Sequence, residues 1–98
     1  MRIAEVIGTV TLSRWHPSIE GHRWIIGVPF SLQGLRGNQP DGENFVIIDE
    51  LGAGYGQRIG VSEGAEATMP FLPAKKPVDA YCACLLDTVE INQRRELR

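Results

Sequence analysis

Three groups of residues in this chain of 98 have types and spacings that could do chemistry. They are the glycine run Gly52-Ala53-Gly54-Tyr55-Gly56-Gln57, the pair Cys82 and Cys84, and scattered carboxylates, serines and tryptophans. A glycine-rich loop cradles phosphate when it leads from a strand into a helix whose N-terminal amides hold the anion. Here Phe45-Val46-Ile47-Ile48-Asp49 precedes the loop and Arg58-Ile59-Gly60-Val61-Ser62 follows it. Both flanks are β-branched and strand-like. No helix follows. The glycines therefore read as a tight connection between two strands, where backbone turns at positive φ or approaches another backbone closely.

The other groups lack convergence. In a strand, Cys82 and Cys84 would share a face with Cα atoms roughly 6.5 Å apart, near the outer limit for a disulfide. They read as buried thiols acting as small hydrophobes. A metal site needs further ligands, for which His16 and His22 are the remaining candidates, and Cys-x-x-Cys spacing is absent. Asp49 and Glu50 are neighbours in a strand and point to opposite faces, which rules out an acid/base pair. Asp79 and Asp87 are too far apart for a shared carboxylate site. Ser13, Ser18, Ser31 and Ser62 have no histidine placed by sequence to activate them. Trp15 and Trp24 could stack a base or sugar, but packing or interface anchoring is the stronger reading. No catalytic residue, cofactor, metal or small-molecule substrate is expected.

The elements that position these residues begin from an ordinary soluble composition, 43% apolar and 22% charged. One domain is expected over residues 1–91, with a charged tail over 92–98. Ten basic against twelve acidic residues give a net charge of −2, which disfavours nucleic acid as a partner. No apolar run is long enough to span a bilayer and no signal-peptide pattern opens the chain, so a cytoplasmic protein is expected.

Five strands are predicted: Ile3 to Leu12, with Gly8 as a bulge, His22 to Phe30, the two flanks of the glycine loop, and a long last strand from Val78 to Ile91. Ser13 to Gly21 is a loop turning at His16-Pro17-Ser18, and Ser31 to Glu43 a polar connection. Ala65 to Met69 forms one helical turn stopped by Pro70 and Pro73. The fold class is mainly all-β: a small, partly open, five-stranded OB-like β-barrel with one short helix. The last strand is apolar on both faces, and Trp24-Ile25-Ile26 and Phe45 to Ile48 repeat the pattern. A single barrel interior cannot hide both faces, which points to subunit association as the cover.

Three segments, in order, carry a family resemblance. Ile3 to Val10 resembles the opening strand of the bacterial microcompartment vertex proteins of EutN/CcmL type. Gly52 to Gln57 resembles that family's Gly-Ala-Gly-x-Gly-Glu signature. Pro77-Val78-Asp79-Ala80, leading into Asp87-Thr88-Val89-Glu90, resembles its C-terminal pattern. The resemblance covers roughly residues 1–91. It implies a cyclic homopentamer that caps the vertices of a polyhedral protein shell in the bacterial cytoplasm, with hexameric shell proteins as partners and a structural role without catalysis. Two departures stand out. Gln57 replaces the family's glutamate, and Gly64 to Thr68 lacks the family's Ser-Ala-Arg.

On this reading Gly52, Ala53, Gly54, Tyr55, Gly56 and Gln57 form a subunit contact or the axial opening. Ser13, Arg14 and Trp15 are candidates for contact with neighbouring shell tiles. The competing reading is an OB-like nucleic-acid or oligosaccharide binding module with Trp15, Trp24 and Tyr81 as stacking platforms. A redox or metal protein built on Cys82 and Cys84 is the third.

Overall fold

The computed structural model describes residues 1–72 and 78–92. Most of the tail expected over 92–98, and the Lys75-Lys76-Pro77 lead-in to the last strand, lie outside them. Five strands, β1 (Arg2–Val10), β2 (Arg23–Pro29), β3 (Phe45–Asp49), β4 (Arg58–Glu63) and β5 (Ala80–Leu86), close into a barrel in the order β1-β2-β3-β5-β4. β1 returns onto β4, and only the β3–β5 pairing is parallel. This is OB-type connectivity, fully closed where a partly open barrel was expected.

Alternation builds the interior. Ala4 and Val6 from β1, Ile25 from β2, Ile47 from β3, Ile59 and Val61 from β4, and Ala80 and Cys82 from β5 form one buried cluster. The inward face of β2 also carries Gly27, where a Cβ would lie 2.7 Å from Ile47 Cδ1. The barrel is too narrow there for a side chain from both strands. β1 slips register between Val6 and Gly8, a bulge where Gly8 marked one.

The last strand is shorter than expected, Ala80–Leu86 instead of Val78 to Ile91. Its register against β4 shifts between Gly60, opposite Cys84, and Val61, opposite Cys82, leaving Ala83 as the extra residue. The bulge turns the two cysteines apart. Cys82 is fully buried in the core, whereas Cys84 is half-buried against Gly60. Both are free thiols.

The stretch read as a polar connection contains a helix, α1 (Leu32–Arg36). Ser31 is its N-cap, accepting from the Gly34 N–H, while Asp41 accepts from the Ser31 N–H at 2.8 Å and from its hydroxyl. These hydrogen bonds hold the Asp41 carboxyl below the usual carboxylate range. A second helix, α2 (Ala65–Thr68), lies where one was expected and runs into a 3-10 turn at Met69–Phe71.

That second helical segment corrects the expectation that the outer apolar faces need another chain to cover them. Register places Trp24, Ile48 and Tyr81 in one row on the outside of β2, β3 and β5. Ala67, Phe71, Val78 and Ile19 pack over this row as a second cluster. Phe71 meets Tyr81 edge-on at 5.5 Å and His22 at 5.4 Å. The chain therefore covers about one row itself. Val46 and Leu85 on β3 and β5 remain open at 46% and 38% exposure.

Candidate functional site

The glycine loop is held at both ends by polar groups that its own strands supply. At its entry β3 ends on Asp49, whose side chain is completely buried. The carboxylate accepts from the Leu51 N–H at 3.0 Å and the Ala53 N–H at 2.8 Å. Arg23, at the start of β2, pairs with the same carboxylate through Nη1 and donates to the Ala53 carbonyl at 2.7 Å. An aspartate bonding to backbone amides two residues and more ahead is the ordinary chemistry of a turn. Burial with a charged partner and three hydrogen bonds makes it strong here.

At its exit the loop joins the barrel ladder. The Gly56 N–H donates to the Val6 carbonyl at 2.8 Å, and the Val6 N–H to the Gln57 carbonyl at 2.9 Å. The Gln57 amide oxygen accepts from the Gly54 N–H at 3.0 Å, closing the turn on itself. The Gln57 side chain thus makes a hydrogen bond within the loop without bringing a charge to it.

The glycines do not all serve the same purpose. Gly52 and Gly56 sit at φ +80° and +81°, which a Cβ strains. Gly54 has no positive φ, and a Cβ there would meet nothing within 4 Å. Among the described residues nothing requires glycine at Gly54. Beside it Tyr55 stands 85% exposed at the tip, while Ala53 is fully buried beneath. The loop is a rigid base carrying a bare, small-residue tip with one aromatic.

Behind Asp49 lies Cys82. Burial first, then the neighbouring Asp49 charge and a hydrogen bond with it, push its thiol up to about 12. A thiol held protonated to that extent is a poor nucleophile and metal ligand. Among the described residues no group of three or more His, Cys, Asp or Glu gathers as a metal site.

The first-loop candidates lie apart from the glycine tip. Ser13, Arg14 and Trp15 are all exposed. Trp15 borders an open pocket of about 260 Å³, together with Val10, Leu12, Ile19 and Trp24. Arg23 lines the same pocket, and so links it to the base of the loop. Asp49 and Arg23 were missed as site residues by the sequence reading. An aspartate just ahead of a glycine turn was an available signal, whereas Arg23, 26 positions away, carries none.

Comparison with known proteins gives a consistent result. The family model described as ethanolamine utilisation protein EutN/carboxysome matches residues 1–87. The chain is 33% identical over 94 residues to the carboxysome shell vertex protein CcmL of Synechococcus elongatus, covering 96% of this chain and 91% of that protein. It is 30% identical to the microcompartment shell vertex protein GrpN of Rhodospirillum rubrum, with 92% and 97% covered. Among solved structures, Gloeobacter violaceus CcmL superposes with a TM-score of 0.82 at 32% identity, covering 94% of this chain and 91% of that one. The pentameric GrpN shell protein superposes with a TM-score of 0.80 at 29% identity, covering 94% and 100%.

Proposed function

We propose, since this chain belongs to the EutN/CcmL family, that it is a structural shell protein whose pentamers cap the vertices of a polyhedral bacterial microcompartment. The observation that carries this reading is the near-complete superposition of the closed barrel on the chain of a pentameric shell protein. Geometry supplies the reason for such a part. A flat sheet of hexagonal tiles closes into a polyhedron only where five-fold units bring curvature. The chain's partners are then four copies of itself and hexameric shell tiles, its place is the shell inside the bacterial cytoplasm, and it has no reaction of its own to catalyse. The domain that assembles is residues 1–91, with 92–98 as an appended tail.

Within this reading the loop from Gly52 to Gln57 meets a neighbouring copy close to the five-fold axis. Support comes from Gly54, whose small size answers no need among the described residues, and from Tyr55, an 85% exposed aromatic beside it of the kind enriched at interfaces. Ser13, Arg14 and Trp15 face the adjoining tile. The nucleic-acid or oligosaccharide module is not favoured: Trp24 packs into the second cluster with Tyr81, leaving Trp15 as the one open platform of the three.

Co-production with hexameric shell proteins tests the function. Closed polyhedra should form when this chain is present, and open sheets or tubes when it is withheld. Shells that close equally well without it would contradict the proposal.

A further inference from the structure

The contact loop is anchored through a single buried carboxylate, and that gives two residues remote from its tip control over assembly. We infer that Arg23 and Asp49 are positioning residues for the subunit contact: their ion pair fixes the shape in which the loop is presented to the next copy. The inference rests on the reading that Gly52 to Gln57 meets a neighbouring subunit.

The argument follows from where the hydrogen bonds go. Asp49 takes the Leu51 and Ala53 amides, and Arg23 takes the Ala53 carbonyl, so both polar groups of the Ala53 backbone end on one charged pair. Ala53 is the fully buried residue directly under Gly54 and Tyr55. The Ala53 anchor on one side and the Gly54–Gln57 turn on the other hold the tip between them. Arg23 does this from outside the barrel's apolar packing, while Asp49 also borders Cys82 of the interior cluster. The Asp49 side chain is fully enclosed, but that of Arg23 is 42% exposed and reaches the loop from the rim of the pocket at Trp15. Removing the guanidinium takes donors from the Asp49 carboxylate and the Ala53 carbonyl, at the point where the loop joins the interior cluster. The carboxylate then keeps two amide donors but loses its counter-charge, and the Ala53 carbonyl loses its side-chain tie to β2.

The experiment compares Arg23→Met, Arg23→Lys, Asp49→Asn and Gly54→Val by light scattering behind a sizing column, with far-UV circular dichroism of each. Arg23→Met and Asp49→Asn should lose the pentamer while retaining the barrel spectrum. Arg23→Lys, whose ammonium can still donate to both the carboxylate and the Ala53 carbonyl, should keep it. Gly54→Val, a change at the tip itself, should also lose it. If Gly54→Val dissociates while Arg23→Met and Asp49→Asn remain pentameric, the positioning role is overturned and the loop contact stands. If all four remain pentameric, the loop contact itself is wrong. Loss of the barrel spectrum in Arg23→Met would also overturn the inference, because the pair would then be holding the core and not the loop.

Discussion

Three glycines separated by single residues in the connection between β3 and β4 obey two different constraints. Gly52 and Gly56 carry positive φ, so Gly52→Ala should cost roughly 1–2 kcal/mol of fold stability from backbone strain alone. Gly54 has ordinary backbone and open space, so Gly54→Ala should leave the urea midpoint of the barrel unchanged within error, while the bulkier Gly54→Val disrupts the ring. An equal loss of fold stability at Gly52 and Gly54 would refute this division. Cys82 gives a second residue-scale expectation. In the unfolded chain its thiol ionises near 9.0, and in the barrel near 12. Between those values the unfolded chain loses a proton that the folded one keeps, so stability present below pH 9.0 declines as pH rises through the window. The alkaline fall of the melting temperature should be shallower in Cys82→Ala. A slope identical to that of the parent would show that the thiol is not the group responsible.

The elements differ in how much of them the sequence shows. β3 was readable to the residue, since Phe45 to Asp49 is β-branched and closed by a charge before the glycines. β2 was readable to within a residue at either end, and Gly8 correctly marked the bulge in β1. The failures share a cause, which is that each depends on a partner distant in sequence. α1 is only five residues long and is held by Asp41 reaching back to Ser31. β5 was overextended because Val89 and Ile91 continue a strand-like alternation past Leu86, where its pairing with β4 ends. The apolar outer row was legible, but not that Ala67 and Phe71 would fold back over it. Two changes test these elements. Gly34→Ala would place a Cβ against Asp41 and 2.7 Å from the Gln39 carbonyl, and should cost about 1–3 kcal/mol in chemical denaturation. Phe71→Ala uncovers Trp24, Ile48 and Tyr81 and should cost about 2–4 kcal/mol, with tryptophan emission shifting to the red. Unchanged emission would mean that the segment does not shield Trp24. At the site, the tight turning of the glycine loop was legible from its glycines, while its Arg23–Asp49 anchor was not, since the two residues lie 26 positions apart and meet only through the register in which β2 pairs with β3.

At the scale of the whole molecule, β1 returns onto β4, so each strand has a neighbour on both sides. Association then draws chiefly on side chains and loops. The open apolar groups include Val46, Leu51, Tyr55 and Leu85 on and around β3, the glycine loop and β5, Ile7 on β1, and elsewhere Met1, Trp15, Leu32, Met69 and Leu72. In a cyclic ring each copy shows its neighbours two different faces, so these groups need not form one self-complementary patch. A ring of five such barrels is the unit that a closing shell requires and that the related pentameric proteins share in fold. Native mass spectrometry of the purified chain at micromolar concentration tests this most directly. The account predicts one dominant species at five times the 10.8 kDa chain mass, and a stable monomer at the same concentration would contradict it.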